Sequence, residues 1–447
     1  MLKKQFASLL FFAAISLHSH AQTDQNNEVA NLPPPSSSAQ KLYSAAKNDL
    51  LQIRVLVKNG RTQSSVGSGF LVGQSDLVVT NYHVVSQIAL EPEVYVGEYV
   101  DTHDQRGGVE LLAVDVLHDL AVVRIARKGT GFFQVPDKIE QLAPLNQGQY
   151  LYSLGNPLDL GFAISEGAYN GVIARSFYDQ FLFTGPINSG MSGGPNVTAN
   201  GALAGVNVAK RTDGELVSFL VPGRFVVELL NKVHQQKNPP AKFSDEVTRQ
   251  LIVHQNFMVD QLLATPLNFK SLGPYQVPVR ESDQMRCWGS SNSKDNASFG
   301  EDRINCAMES AIYISHKLQT GHINLSHIYT HSSSLGSLRF ARMMSNQFKN
   351  QINSSNRQSN LTAAACAEDF VKNDSSAMRA VICTRAYRKF IGLYDFMLIT
   401  ASLDQEKEVL QTNLTVRGVS YENGMRIIRQ VLKNVSRNKV PATGAKK

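Results

Sequence analysis

From Leu50 the chain breaks into short stretches in which apolar and β-branched residues run together or alternate with polar ones. Examples are Ile53-Arg54-Val55-Leu56-Val57, Leu77-Val78-Val79-Thr80, Leu120-Ala121-Val122-Val123-Arg124-Ile125, Gln149-Tyr150-Leu151-Tyr152 and Leu203-Ala204-Gly205-Val206-Asn207-Val208. Glycine, asparagine and aspartate separate many of them, a pattern that predicts many short strands closed into a sandwich or barrel. The period then changes: Phe225, Val226, Leu229, Leu230 and Val233 fall on one helical face, and Pro222 suits a first turn, so a helix is predicted from about Pro222 to Gln236. Asn238-Pro239-Pro240 stops it and marks a domain boundary.

Beyond that boundary a helix is predicted over Asp245–Ala264, with Ser244 as its cap and acids in its first turn. The apolar runs Tyr387–Ala401, Val409–Val419 and Gly424–Val435 indicate mixed strands and helices. The fold class is therefore an all-β unit over residues 41–238 followed by a separate mixed α+β unit over 241–447. Asn324-Leu325-Ser326 precedes a helical pattern carrying Arg339 and Arg342, as Asn413-Leu414-Thr415 precedes one carrying Arg426 and Arg429, and each follows a pair of cysteines. This echo raises the idea of a duplicated cysteine–strand–helix unit.

The first residues have a different character. Lys3 and Lys4 precede an apolar run from Phe6 to Leu17, and Ser19 and Ala21 are small, as a signal peptidase requires. Residues 1–21 read as a signal peptide and the polar, proline-rich 22–40 as a flexible leader, with a short helix from about Ala39 to Lys47. No later run is apolar for long enough to cross a bilayer. The expected location is secreted or periplasmic.

Charge divides the chain as the patterning does: residues 22–238 carry a net −4 and residues 239–447 a net +9. Arg339 with Arg342, Arg385 with Arg388 and Lys389, Arg426 with Arg429, and the tail residues Lys433, Arg437, Lys439, Lys446 and Lys447 are the basic clusters. They suggest an anionic envelope component as a partner; no nucleic acid is expected. All four cysteines, Cys287, Cys306, Cys366 and Cys383, lie in the second part. Three pairings are open to them, and the neighbour pairing Cys287–Cys306 and Cys366–Cys383 closes the shortest loops. His316, His322, His327 and His331 are close in sequence, but the stretch around His327 reads as a strand entering a turn without a suitable carboxylate, so neither a metal nor any other cofactor is expected.

Serine-based peptide hydrolysis needs a hydroxyl, a base to take its proton, a carboxylate to orient the base and donors for the oxyanion. Asn188-Ser189-Gly190-Met191-Ser192-Gly193-Gly194-Pro195 offers a serine on a glycine-rich turn, where Gly190 is free to aim its N–H at the same point as that of Ser192. His83 follows the apolar stretch Leu77–Thr80, just after Val66-Gly67-Ser68-Gly69-Phe70. Asp119 opens the run Leu120–Val123. Asp115 competes with it from four residues upstream.

These segments, with Gly155-Asn156-Pro157 and Gly205-Val206-Asn207, resemble the trypsin-like proteases, specifically the bacterial HtrA/DegP-type branch, over about residues 45–235. The order histidine, aspartate, serine agrees, and Asp119 is favoured over Asp115 because it directly precedes Leu-Ala-Val-Val as in that family. The resemblance implies two antiparallel β-barrels with the site in the cleft between them. It assigns His83, Asp119 and Ser192 as the catalytic triad and the N–H groups of Gly190 and Ser192 as the oxyanion hole. It places the primary specificity pocket near Pro186, Ile187, Val206 and Val208, with proteins or peptides as substrates. Met191 departs from digestive relatives, which carry an aspartate there for an inserted N-terminus, and no PDZ-type loop follows Pro240. The expected function is a secreted serine endopeptidase; the alternative is a protein-binding or chaperone-like module on a weakly active or inactive protease scaffold.

Overall fold

The computed structural model describes residues 36–173, 176–210, 216–292, 297–352, 360–373 and 375–438. The signal, the leader up to Pro35 and the tail residues Lys439, Lys446 and Lys447 lie outside the described residues. Six antiparallel strands close a first barrel: β1 (Leu50–Val57), β2 (Gln63–Leu71), β3 (Leu77–Thr80), β4 (Tyr95–Asp101), β5 (Arg106–Asp115) and β6 (Leu120–Ile125), in the order β1-β2-β3-β6-β5-β4. Strand β3 is apolar at consecutive positions because both its faces are covered. Alternate strand residues point opposite ways, so Val78 enters a core with Leu51, Ile53 and Val123, whereas Leu77 and Val79 enter another with Phe70, Leu120 and Val122.

A second closed barrel has the order β10-β11-β12-β9-β8-β7, formed by β7 (Tyr150–Gly155), β8 (Ala163–Val172), β9 (Phe181–Phe183), β10 (Pro195–Val197), β11 (Leu203–Lys210) and β12 (Ser218–Pro222). Helix α1 (Ser37–Ala46) precedes the first barrel and α2 (Tyr82–Leu90) follows β3. Helix α3 (Gly223–Gln235) ends the second barrel, with Pro222 at its N-cap rather than in its first turn. Phe225, Val226, Leu229 and Leu230 of α3 pack with Leu42 of α1, Leu112 of the first barrel and Leu154 of the second, which joins the barrels through one core.

The remaining chain begins with α4 (Phe243–Ala264). Ser244 lies inside this helix and not at its cap, which falls on Lys242; Asp245 and Glu246 do occupy the first turn. Then come β13 (Asn268–Leu272), β14 (Tyr275–Val279), β15 (Met285–Ser291), β16 (Gly300–Met308), a hairpin of β17 (Ile312–Ser315) and β18 (Leu318–Thr320), β19 (His322–His331) and α5 (Ser337–Ile352). The chain continues through β20 (Ala365–Lys372), β21 (Ala377–Ala386), β22 (Tyr394–Ser402), β23 (Glu408–Val419), α6 (Tyr421–Asn434) and β24 (Ser436–Arg437). The main sheet has seven strands in the order β15-β16-β19-β23-β22-β21-β20. Cys287–Cys306 and Cys366–Cys383 are disulfide-bonded, and each joins directly opposed residues of an edge strand and its neighbour.

The sequence echo acquires a structural meaning, though not as a duplication. The two Asn-Leu-Ser/Thr stretches face each other across β19 and β23, with Leu325 opposite Leu414. However, the second cysteine pair is separated from β23 by the extra strand β22. Cys306 shares a core with Leu325 and Leu414, whereas Cys383 packs against Phe348 on the other face.

Asn238 marks a break in patterning but not in packing. Val247 and Leu251 of α4, Ile312, Ile314 and Leu318 of the hairpin, and Tyr387, Phe390 and Leu393 share one core with Leu51 and Val123 of the first barrel and Val84 and Val85 of α2. The described residues from Ser37 onward form one compact unit. Gln250 completes the join: its amide donates to Val114 O and accepts from Val116 N, both at 2.8 Å, like one rung of a sheet. Gln250→Ala strands a buried carbonyl and a buried N–H at this seam, so it is expected to lower unfolding free energy by about 1–3 kcal/mol. Denaturant unfolding of the full chain measures this, and an unchanged midpoint refutes the role.

Candidate active site

Strand β3 ends at Thr80, Asn81 takes the extended N-cap conformation (φ −83°, ψ 150°), and His83 falls in the first turn of α2. Asp119 sits in the β5–β6 turn with φ 55°, a left-handed conformation that aspartate tolerates better than most residues. Its hydrogen bonds explain why it is held there. The Asp119 carbonyl accepts from Tyr82 N at 3.1 Å and from Asn81 Nδ2 at 2.7 Å. Its carboxylate accepts from His83 N at 2.8 Å and pairs with His83 Nδ1 at 2.6 Å. With the Nδ1 proton committed to the carboxylate, Nε2 of the neutral ring is the basic nitrogen. Asp115, the rival, pairs with His118 Nδ1 at 2.6 Å and accepts from the Leu117 and His118 N–H groups, so it shapes the turn instead.

The serine loop is built on a contact between backbones. Ser68 of β2 is its hub: Ser68 Oγ donates to Gly190 O at 2.6 Å and accepts from Asn156 N at 2.9 Å, while Ser68 N donates to Ser192 O at 2.7 Å. Glycine is required where these segments meet. A Cβ on Gly67 would lie 2.4 Å from Val84 and 3.0 Å from Ser192 O; on Gly193, which has φ +86°, it would lie 2.2 Å from Ser68 O. Leu158 N donates to Ser189 O at 2.7 Å. Because the peptide is planar and trans, anchoring that carbonyl turns the Gly190 N–H to the opposite side. The Ser192 hydroxyl donates to Val208 O at 3.1 Å, and no hydrogen bond joins it to His83 among the described residues.

His83 and Asp119 are thus directly paired, and Ser192 is brought to the same wall through Ser68, Gly67 and Val84. The four residues assigned to a specificity pocket are not brought to one surface. Ile187 is buried with Leu151, Phe183, Met191 and Leu220, whereas Val206 and the partly buried Val208 pack in the core between the barrels. Pro186 is exposed, and its carbonyl accepts from Ser165 Oγ at 2.8 Å. Val206 misses Ile187 because β11 turns that side chain into the inter-barrel core. His327, from the histidine-rich stretch, is buried between Thr412 Oγ1 and Pro278 O, each at 2.9 Å; burial lowers its pKa to about 4. Ser68, Asn156 and Leu158 had no assigned role, although the glycines flanking Ser68 signal a close backbone approach.

Tyr313 carries no functional signal in the sequence. It belongs to β17 of the C-terminal region, and its ring lies edge-on to that of His83, with centroids 5.9 Å apart at 73°. Burial opposes the His83 imidazolium, but the charge and hydrogen bond of Asp119 outweigh it and hold the pKa above the ordinary value of 6.5. Asp119→Asn removes both favourable effects and leaves the burial. An NMR titration of the His83 ring is therefore expected to show a midpoint above 6.5 in the wild type and a lower one in the variant. A midpoint indifferent to the substitution contradicts this electrostatic picture.

Part of the chain is similar in sequence to known serine proteases. Residues 67–206 match the family model described as the trypsin-like peptidase domain. Serine protease HTRA1 of Xenopus laevis is 28% identical over 181 residues, which cover 38% of this chain and 37% of the relative. Human serine protease HTRA4 is 28% identical over 193 residues, covering 40% and 37%. The solved serine endoprotease from Yersinia pestis aligns with a TM-score of 0.38 and 20% identity, over 46% of this chain and 69% of that one. The chain thus spans a little over a third of the length of these curated relatives. Residues 67–206 form a trypsin-like peptidase domain, similar in sequence to the HtrA serine proteases.

Proposed function

We propose that the chain is an exported serine endopeptidase that cleaves proteins through an acyl-enzyme on Ser192. The observation that carries this reading is the His83–Asp119 pair, set beside a serine loop whose backbone is fixed by Ser68 and Leu158. In the proposed reaction Ser192 turns about its Cα–Cβ bond from Val208 O toward His83. Its oxygen attacks the scissile carbonyl carbon as the proton passes to His83 Nε2. The oxyanion accepts from the N–H groups of Gly190 and Ser192, and collapse of the intermediate delivers the His83 proton to the leaving amine. Water, deprotonated by the same imidazole, then releases the acyl group and restores Ser192. Because His83 must be neutral to accept the proton, turnover falls as pH drops through its raised pKa.

Export is supported by the basic-apolar-small pattern of residues 1–21 and by two disulfides, which persist in oxidising compartments. Met191 is buried with Ile187 and Leu220 and offers no charge to an inserted N-terminus, so no such activation step is invoked. The anionic-partner reading narrows to fewer residues, since Lys389, Arg426 and Arg437 are already paired with Glu91, Asp260 and Glu408. Arg429 and Lys433, which share an open groove with Leu263 and Leu267, are its best remaining support.

A fluorophosphonate probe is expected to label the purified protein at Ser192, and Ser192→Ala is expected to lose labelling and to lower casein cleavage by three or more orders of magnitude with the fold retained, in line with the roughly 10⁴-fold or larger losses typical of triad members. Labelling elsewhere, or full activity of the alanine variant, removes the assignment. Failure of the wild type to label or cleave favours the protein-binding scaffold instead.

The resemblance places the acyl-side pocket beside apolar residues, of which Ile187 is enclosed in a core with Met191 and Leu220. Burying a lysine or arginine there without a carboxylate costs a few kcal/mol, on the order of 2–7 even for a neutral polar group. Peptide-library profiling should show small or medium apolar residues on the acyl side of the cleaved bond. A profile dominated by arginine or lysine overturns this specificity.

A further inference from the structure

The hydrogen bond from His83 Nδ1 to Asp119 fixes one edge of the imidazole and leaves a freedom behind. A planar ring held at Nδ1 alone still rocks about the Nδ1···Oδ2 line, and that motion swings Nε2 sideways. Proton transfer depends steeply on such alignment, since misplacement of reacting groups by about 1 Å is enough to cost about 10²-fold in rate. A second contact on the ring is needed to fix its plane. In this chain that contact comes from outside the protease barrels.

Tyr313 is immobilised from several directions. Its neighbours Ile312 and Ile314 are buried in the core that also holds Val84 and Val85 of α2. Tyr313 itself is partly buried against that same core, and its ring meets His83 edge-on. Its hydroxyl is hydrogen-bonded with Ser86, whose own hydroxyl donates to His83 O at 3.1 Å. The Tyr313 ring also packs edge-on to Tyr82, at 6.5 Å and 73°, and the Tyr82 hydroxyl donates to Ile314 O at 2.9 Å across a fully buried contact. Tyr82 and His83 are adjacent on α2, so the hairpin grips the residue before the histidine and braces the histidine ring itself.

We infer that Tyr313 is a positioning residue for His83, and that the β17–β18 hairpin makes the C-terminal region an integral wall of the active site. This deepens the peptidase reading and rests on it. The function lies in the ring, which limits the tilt of the imidazole; the hydroxyl serves to hold the ring. A wall of this kind acts on turnover rather than on ground-state binding, because it touches the base and not the scissile bond.

The test uses the full chain with Tyr313→Phe, Tyr313→Leu and Tyr313→Ala, assayed on one peptide substrate and by fluorophosphonate labelling. Tyr313→Ala is expected to lower kcat about 10- to 100-fold, the cost of a misalignment on the order of 1 Å, with KM within about two-fold. Tyr313→Phe should restore most of the lost kcat. The downfield Nδ1 proton of His83 is expected to stay sharp in wild type and Tyr313→Phe and to broaden in Tyr313→Ala. Tyr313→Leu keeps apolar bulk, so its kinetics are read if the alanine variant does not fold; a wild-type kcat in any folded variant lacking the ring overturns the inference. So does a rise in KM at constant kcat, or a loss in Tyr313→Phe equal to that in Tyr313→Ala. A wild-type protein that neither labels nor cleaves defeats the peptidase reading first, and a wild type that cleaves while all variants match it defeats the brace alone.

Discussion

The site depends on the close approach of two backbones at the seam between the barrels. Ser68 N reaches Ser192 O, Ser68 Oγ reaches Gly190 O and Asn156 N, and Gly193 and Gly194 lie against backbone atoms of Ser68 and Leu154. A side chain at Gly193 or Gly194 would place its Cβ at 2.2 Å or 2.1 Å from a carbonyl oxygen. Sterics therefore dictate glycine, and the glycines in turn let the serine loop lie flat on the first barrel. Thr80 Oγ1 donates to Ser68 O at 2.7 Å, so the end of the strand that launches His83 is tied to the same hub. The spacing between serine and histidine is thus set by main-chain geometry and not by the rotamers of long side chains.

Much of this was legible in the sequence because it is local. In the first barrel β1, β3 and β6 are short apolar runs, and His83 and Asp119 lie directly beside the ends of β3 and β6. The neighbouring disulfide pairs were legible for a related reason, since each cysteine lies on one of two successive strands. Errors arose where tertiary contacts override local preference. Ser244 looks like a cap, yet the packing of Phe243 against the first-barrel core draws the helix past it. Val206 looks like a pocket residue in line with Val208, yet the inter-barrel core takes both. Tyr313 carries no sequence signal, because a tyrosine in a four-residue strand is unremarkable until the fold brings it to His83, 230 positions away.

The division of the chain by charge and pattern at residue 238 also needs restating in physical terms. A net −4 part and a net +9 part need not be independent bodies, and here opposite charges meet at the join. Lys232 of α3 and Arg249 of α4 both bond Glu246, as does the Gln250 amide. Burial alone would raise the Glu246 pKa, but hydrogen bonds from Arg249, Lys232 and Gln250, together with the Lys232 charge, hold it down at about 2. This cluster lies next to the Gln250 rung, so the polar and apolar parts of the join reinforce each other at one place.

That arrangement changes what stability means for the site. The buried face of α2 is covered from one side by the barrel and from the other by Ile312, Ile314 and Leu318. Burying side chains of that size is worth about 1.5–3 kcal/mol each, comparable together with the 5–15 kcal/mol that typically separates folded from unfolded domains. Loss of the C-terminal region would therefore uncover Tyr82, Val84 and Val85, and with them the turn that carries His83. The described part of the C-terminal region thus holds a share of the energy that keeps His83 in place. Tyr387, Phe390 and Leu393 are packed into the same core as α2, while the two disulfides staple the edge strands of the seven-stranded sheet to their neighbours.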